Sequence, residues 1–428
     1  MGIRVIDSVP RFAPARCTQG LAGATCVAVM AIASAGPSLA AQSELLLDPA
    51  ATVGNELGFA LDQDAGFVAT GSPGDAGGRG AVHLFDCTAT PCTPPVRLEG
   101  AGGAEGDHFG AALALDGDTL VVAAPGRTPA SVYVFARTGG NWSQQARIDS
   151  PGGAAAAGFA GAVALSSDRL AIGAEGADDN AGAVYVFLRD GSAWNQEARL
   201  VVVDAAAGSR FGKAVAMDGG MLVAGAPFEA GTAEGAFARG AIHAFARSGT
   251  TWSPLPRLTA QDAADGDLLG LSIALDEGRI LAGAPLADLR AGAAVLFEES
   301  GGSWTQRARL SAPGGLPGDR FGWSVSFAGA GALLVGAPYA LEGCGTATVF
   351  RSSGVSWQPT SEAVADLPLP SVMLGWSVSA EGGRIAVAAP GHAGAPEHRG
   401  AVHLFGGGDG VFRDGFEPSV AAITCEEK

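Results

Sequence analysis

One unit of about 50 residues recurs along the chain and constrains the fold more than any other feature. Its clearest copy, Asp107–Ile148, divides into four short strands separated by turns. The second strand, Thr119–Ala124, is almost wholly apolar, as expected of a strand covered on both faces. The fourth, Trp142–Ile148, alternates apolar and polar residues, which is typical of a half-exposed outer strand. On that alternation, one face should carry Trp142, Gln144, Ala146 and Ile148.

Seven copies of the unit can be counted, and each opens with Phe or Leu followed by a small residue. These opening pairs are Leu57-Gly58, Phe109-Gly110, Phe159-Ala160, Phe211-Gly212, Leu269-Gly270, Phe321-Gly322 and Leu374-Gly375. Apolar inner strands combined with an amphipathic outer strand are typical of a propeller blade. The sequence therefore predicts an all-β fold, a seven-bladed β-propeller of four-stranded antiparallel blades.

The last copy is incomplete, because only three strands precede the glycine-rich residues 406–410. At the other end, Ser43–Asp48 resembles the segments that precede later copies. We expect this N-terminal strand to pair into blade 7 and close the ring, since an open ring would expose two sheet edges. The predicted propeller spans residues 41–405, and residues 406–428 form a linker and C-terminal tail whose role the sequence leaves open.

The paired motifs resemble those of FG-GAP repeats, as found in the seven-bladed propeller of integrin alpha chains and in many bacterial secreted proteins. The Phe-Gly openings are followed by Gly-Ala-Pro endings of the second strand, as at Gly225-Ala226-Pro227 and Gly283-Ala284-Pro285. The resemblance covers roughly Ser43–Phe405. It implies a propeller closed by its N-terminal strand and a role in adhesion or surface interaction.

The chain departs from integrin-like repeats at the turns between the first two strands. Those repeats often carry D-x-D-x-D-G loops that surround calcium with oxygen atoms. The corresponding turns here, such as Asp116-Gly117-Asp118, offer too few oxygen side chains for such a site. We predict no metal and no cofactor, with calcium at Asp62-Gln63-Asp64 or Asp262–Asp267 as the less favoured alternative.

The first forty residues have the pattern of a signal peptide. A basic segment precedes an apolar core, Leu21–Ala35, and Ser38-Leu39-Ala40 offers small residues for cleavage. The apolar core is short for a spanning helix, although an uncleaved anchor is the alternative. We predict residues 1–40 to be removed from a bacterial protein exported to the periplasm, the cell surface or the medium, leaving no stable membrane span.

Four cysteines remain after such cleavage: Cys87, Cys92, Cys344 and Cys425. An even number in an oxidising compartment favours disulfides, and four cysteines allow three pairings. Cys87 and Cys92 flank a predicted turn, so a local bridge is favoured, which would leave Cys344 to pair with Cys425. Free, buried thiols are the alternative.

No set of residues in the sequence indicates catalysis. A net charge of −17 argues against a nucleic-acid partner. A sialidase-like hydrolase is the enzyme that we considered, but the basic cluster and the tyrosine nucleophile that it needs are missing. His83, His243 and His403 share one position of the third strand with Tyr, Val and Thr in other copies, which favours packing over metal binding.

Binding is the remaining class of function. The longest loop between second and third strands, Phe228–Arg239, offers an aromatic and charged patch for a ligand. Its candidate residues are Phe228, Glu229, Phe237 and Arg239. Trp323 and Trp376 follow the opening pairs of copies 6 and 7, where packing is favoured and sugar stacking is the alternative. We predict a monomeric, non-enzymatic module that binds an extracellular protein or glycan, with a purely structural envelope protein as a further alternative.

Overall fold

The computed structural model describes residues 4–5, 44–152, 156–203, 205–230, 238–329, 331–354, 356–364, 371–391 and 399–406. The predicted signal peptide and C-terminal tail lie almost wholly outside these residues, and both remain predictions. The described part of the chain forms seven antiparallel sheets of four strands, one of which gains a fifth strand, Arg4–Val5. The predicted seven-bladed propeller is confirmed.

The two inner strands of each blade consist largely of small and branched apolar residues. The innermost strands of blades 1 to 7 are Leu61–Asp64, Leu113–Asp116, Phe159–Ser166, Val215–Asp218, Ser272–Asp276, Ser324–Phe327 and Val378–Glu381. The second strands are Phe67–Ser72, Thr119–Ala124, Arg169–Ala174, Met221–Ala226, Arg279–Ala284, Ala332–Ala337 and Arg384–Ala389. Every residue of Thr119–Ala124 is buried, because neighbouring blades cover both of its faces.

The outer two strands of each blade become progressively more polar. The third strands are Ala81–Asp86, Ser131–Thr138, Ala183–Asp190, Ala241–Ser248, Ala293–Ser300, Thr346–Ser353 and Ala401–Phe405. The outermost strands of blades 1 to 6 are Val96–Leu98, Asn141–Asp149, Ala193–Leu200, Thr251–Pro254, Ser303–Leu310 and Ser356–Val364. Blade 7 takes its outermost strand from the N-terminal side of the propeller, Glu44–Leu46.

That N-terminal strand closes the ring as predicted. Glu44–Leu46 pairs antiparallel with Ala401–Phe405, and Leu45 lies opposite His403. The innermost strand of blade 7 also packs beside that of blade 1, so the seven innermost strands contact one another all the way round. Closure removes the two open edges that an incomplete ring would expose.

The Phe-Gly pair forms the joint between consecutive blades. The backbone N–H of Phe109 donates to the carbonyl of Arg79 in the preceding blade, at 3.1 Å. A Cβ atom built on Gly71 would lie 1.9 Å from the carbonyl oxygen of Gly110, so the two backbones approach too closely for a side chain. This close approach explains the glycine at this position in five of the seven blades; blades 2 and 7 carry Ala123 and Ala388 there.

The outer strand of blade 2 corrects one prediction. The expected alternation placed Trp142, Gln144, Ala146 and Ile148 on one face, but a β-bulge interrupts the register between Gln144 and Ala146. As a result, Trp142 packs against the interface with blade 1, whereas Ala146 and Ile148 pack against the interface with blade 3. A single extra residue therefore lets one strand contribute to the cores on both sides.

α-Helical structure in the described residues is limited to short turns between second and third strands. These four-residue turns are Asp75–Gly78, Ala177–Asn180, Ala287–Arg290 and Ala340–Gly343. Each contains residues with left-handed backbone angles, such as Asp178 and Asp179 with φ of 51° and 58°. None of the helices in this part of the chain has the length and apolar character needed to cross a membrane.

Candidate functional site

The propeller has two faces with different connections. Because the strands of a blade are antiparallel, the start of its innermost strand and the end of its second strand lie on the same face. This side, which we call the loop face, carries the loops between second and third strands and the connections between blades. The opposite side, the turn face, carries the tight turns. Long loops on a rigid scaffold are the usual place for ligand contacts.

The predicted patch of blade 4 lies on the loop face. Phe228 is 36% exposed, and the guanidinium of Arg210 lies over its ring at 4.7 Å from the centroid. Arg239 is ion-paired with Asp265, with Nε and Oδ1 separated by 2.7 Å. Phe237 lies outside the described residues. The structure thus brings Phe228 and Arg239 to one face, with the Arg239 charge already neutralised.

Glu229, the fourth candidate, contacts His243 and forms an ion pair with Arg257. Its Oε2 lies 2.6 Å from Nε2 of His243, and its Oε1 accepts a hydrogen bond of 2.5 Å from Arg257. Burial would raise the pKa of Glu229, but the hydrogen bond from His243 and the charges of His243 and Arg257 outweigh it and hold the pKa below its ordinary value. These contacts give Glu229 a structural role that the sequence pattern did not indicate, because His243 lies in the third strand and Arg257 follows the outermost strand.

The three equivalent histidines occupy buried positions. His83 is 1% exposed, with its Nε2 lying 3.2 Å from the carboxylate of Asp48. Burial lowers the pKa of His83, although Asp48 opposes this shift. His243 contacts Glu229, and His403 is 2% exposed beside the closing strand. This burial agrees with the packing position inferred from the sequence.

Acidic residues of the turn face join neighbouring blades. Asp62 accepts hydrogen bonds from the backbone N–H groups of Leu115 at 2.9 Å and of Gln63, while Asp64 accepts one of 2.5 Å from Gly117. Burial raises the pKa of Asp62 to about 6. The same contact recurs at other joints: Asp116 with Ser167, Asp218 with Glu277, and Glu381 with Ala65.

The two acidic segments considered for calcium are thus engaged in protein contacts. Asp62 and Asp64 bind backbone N–H groups of blade 2, and Asp262 is ion-paired with Arg309 at 2.9 Å. Across the described residues, no three His, Cys, Asp or Glu side chains converge as a set of metal ligands.

One predicted disulfide is present. Cys87 and Cys92 are bonded to each other in the turn between the third and fourth strands of blade 1. Cys344 is buried and also disulfide-bonded. Cys425 lies outside the described residues, so its pairing with Cys344 stays a prediction.

A cluster of aromatic side chains at the inner edge of the loop face was only partly foreseen. We call it the aromatic arc, and it consists of Phe59, Trp376, Trp323 and Tyr339. The ring centroids of Phe59 and Trp376 are 5.6 Å apart, and those of Trp376 and Trp323 are 5.0 Å apart. Tyr339 continues the series at 5.7 Å from Trp323. All four side chains are half-buried, so part of each remains accessible.

Arg320 completes the arc with a positive charge. Its guanidinium carbon lies 4.1 Å from the ring centroid of Tyr339 and 5.6 Å from that of Trp323. Contacts of this kind attract the cation to the aromatic rings. In the part of the chain that the structure describes, Arg320 has no carboxylate partner.

The aromatic arc is not a requirement of the repeat. In blades 1 to 7, the residue after the opening pair is Phe59, Ala111, Gly161, Lys213, Leu271, Trp323 and Trp376. Blades 2 to 5 adopt the same fold with small, polar or aliphatic residues there. Aligning this position across the copies would have revealed three successive aromatic residues once the ring was closed between blades 7 and 1.

Comparison with known proteins agrees with this architecture. A model of the FG-GAP repeat matches residues 96–135, 142–187, 194–245, 252–297 and 304–350, which together make up more than half of the chain. Each matched segment begins in the outermost strand of one blade and ends in the third strand of the next. No curated protein matches the chain. The seven-bladed propeller and the five matched repeats show that the chain belongs to the FG-GAP repeat family.

Proposed function

We propose that this FG-GAP propeller is a non-enzymatic binding module whose loop face engages an extracellular protein or glycan. The aromatic arc is the observation that carries the proposal. Four half-buried rings and one stacked guanidinium cluster on the face where loops meet, although the repeat itself does not demand them. Aromatic residues and arginine are the residue types enriched at interaction hot spots.

Two features support export of the module. The N-terminal sequence has the pattern of a cleavable signal peptide. The Cys87–Cys92 disulfide fits an oxidising compartment. Determining the N-terminal residue of protein recovered from the periplasm or medium tests this part of the proposal; a mature chain beginning at Ala41 is expected.

The binding proposal is tested by screening the purified mature protein against arrays of glycans and extracellular proteins. A Trp323→Ala/Trp376→Ala variant should lose the ligands that the wild type retains. The matched control is Arg307→Ala on the outer strand of blade 5, where the Arg307 side chain is 56% exposed. Retention of every ligand by the double variant would contradict a role of the loop face. Hydrolysis of fluorogenic glycosides by the wild type would instead favour the enzyme alternative.

A further inference from the structure

We infer that the aromatic arc is a subsite for a glycan that carries carboxylate groups, such as a chain containing uronic acids. This inference rests on the proposed binding function and specifies its ligand. Two properties of the arc carry it: a row of half-buried aromatic rings and one cation without a carboxylate partner in the described residues.

The row of rings suits the apolar faces of sugar rings. The electron-rich face of an aromatic ring attracts the polarised C–H groups on one side of a pyranose. Successive centroids along Phe59, Trp376, Trp323 and Tyr339 are 5.0 to 5.7 Å apart, so the arc continues across blades 7, 1 and 6. An extended saccharide of more than one unit matches this shape better than a single small molecule does.

The charge of Arg320 selects for a carboxylate. The protein carries a net charge of −17, so its overall field repels anions, and attraction must come from a local cation. The residue of blade 4 that corresponds to Arg320 is Arg210, which is ion-paired with Glu175, with Nη1 and Oε2 separated by 3.7 Å. Arg320 is stacked on Tyr339 and Trp323 instead, which leaves its planar fork of N–H groups suited to a bidentate carboxylate.

The test compares one ligand with its own methyl ester. Oligogalacturonate, alginate oligomers and hyaluronan oligomers are titrated against the full mature chain by calorimetry, with a chelator present to exclude bridging calcium. For an acid that binds, the methyl ester keeps the sugar faces and loses only the charge. We expect at least one acid to bind, with its ester about tenfold weaker.

Two variants separate the contributions of the rings and of the charge. Trp376→Ala should lower the affinity for the acid and for the ester alike, by about tenfold, because both ligands stack on the ring. Arg320→Gln should lower the affinity for the acid by about tenfold and leave the affinity for the ester unchanged. Leu271 occupies in blade 5 the position that Trp376 occupies in blade 7. Leu271→Ala is the control and should change the affinity for neither the acid nor the ester. Thermal unfolding of each variant verifies that it is folded.

Three results would overturn the inference. The first is failure of every acidic oligosaccharide to bind, and the second is equal affinity for an acid and its ester. The third is binding that Trp376→Ala and Arg320→Gln do not alter. If the arrays show instead that the loop face binds a protein or a neutral glycan, the binding proposal stands and only the acidic ligand is wrong. If the loop face retains no ligand of any class, both fail.

Discussion

The backbone N–H of Cys92 in blade 1 donates a hydrogen bond of 2.6 Å to the carboxylate of Glu44 in the closing strand of blade 7. The turn that holds the Cys87–Cys92 disulfide therefore contacts the strand that completes the ring. The carbonyl of Cys87 also accepts a hydrogen bond from Arg384, in the second strand of blade 7. One covalently fixed turn thus stabilises the joint between the last blade and the first.

Removing that disulfide should loosen the closure. The loss of a small covalent loop is expected to lower the free energy of unfolding of Cys87→Ser/Cys92→Ser by about 2 kcal/mol. Urea unfolding measures the change, and hydrogen exchange at Glu44–Leu46 localises it. Glu44→Gln, which keeps an acceptor oxygen, serves as the control and should cost less. Unchanged stability together with full protection of Glu44–Leu46 would contradict the prediction.

The close approach of backbones at the blade joints predicts a difference between two glycines of blade 4. A Cβ atom on Gly225 would lie 1.9 Å from the carbonyl oxygen of Gly270, whereas the nearest atom to a Cβ on Gly220 is 3.9 Å away. Gly225→Ala should therefore destabilise the protein by about 3 kcal/mol or more, because backbone must move. Gly220→Ala, the control, should change stability by less than about 1 kcal/mol. Similar melting temperatures for both variants would show that the backbone at the joint between blades 4 and 5 can move aside at little cost in free energy.

Because the pKa of Asp62 is raised in the folded protein, we expect the stability to depend on pH. The Asp62 pKa of about 6 in the folded protein exceeds the value of about 3.9 expected in the unfolded chain. The folded state binds the proton more tightly, so this contribution to stability is present below about pH 4 and declines as the pH rises to about 6. Asp62→Asn, which stays neutral, should be more stable than the wild type at pH 7.5 by at most about 3 kcal/mol. Half-burial of the side chain makes this figure an upper limit.

Chemical unfolding at pH 3.5 and pH 7.5 tests that prediction. The gain from Asp62→Asn should appear at the higher pH only. The exposed Asp190 supplies the control, since Asp190→Asn should alter stability little at either pH. If Asp62→Asn raised the stability equally at pH 3.5 and pH 7.5, the gain would not come from the ionisation of Asp62.

For Glu229 we expect the opposite dependence of stability on pH. Because its pKa lies below the ordinary value, its stabilisation is present above about pH 4.3 and is lost as the pH falls through the folded-state pKa. Glu229→Gln should lower the free energy of unfolding at pH 7 by about 2 kcal/mol, since two charge-assisted hydrogen bonds are weakened. Urea unfolding should show the difference shrinking towards pH 3. Glu298→Gln, which affects an ion pair with the exposed Arg307, should cost almost nothing.

The loop of blade 4 should be dispensable for folding. Ala230 and Ala238 already form an antiparallel bridge, so the ends of the loop meet without the residues between them. Replacing residues 231–237 by Asn-Gly, a two-residue hairpin turn, should change the free energy of unfolding by less than about 1 kcal/mol. A larger loss would show that the loop packs on the propeller. Ligand binding by this variant also decides whether the candidates Phe228 and Arg239 act together with Phe237.

The architecture could be predicted because every repeat carries the same opening pair and the same pattern of strands. Opening pairs such as Phe109-Gly110 mark the joints, and the missing strand of the last copy pointed to Ser43–Asp48 as the closing segment. The turn between Cys87 and Cys92 was short enough to favour the local bridge that the structure contains. Local spacing was sufficient in each case.

What the sequence did not reveal depends on contacts between distant residues. Phe59 and Trp376 meet only because the ring closes, and Glu229 contacts His243 and Arg257 although they lie 14 and 28 residues away in the sequence. The bulge in the outer strand of blade 2 was missed because an alternating pattern gives no sign of the extra residue. The left-handed turn at Asp178 and Asp179 carries no glycine that would have marked it.

Ring closure by Glu44–Leu46 also has a consequence for biosynthesis. A ribosome makes this strand before any blade, yet its partner, Ala401–Phe405, is among the last segments to appear. The strand Glu44–Leu46 therefore has no pairing partner until the last blade is made, and a polypeptide that stops short of Phe405 retains two unsatisfied sheet edges. Prematurely terminated products should consequently aggregate rather than survive as smaller propellers.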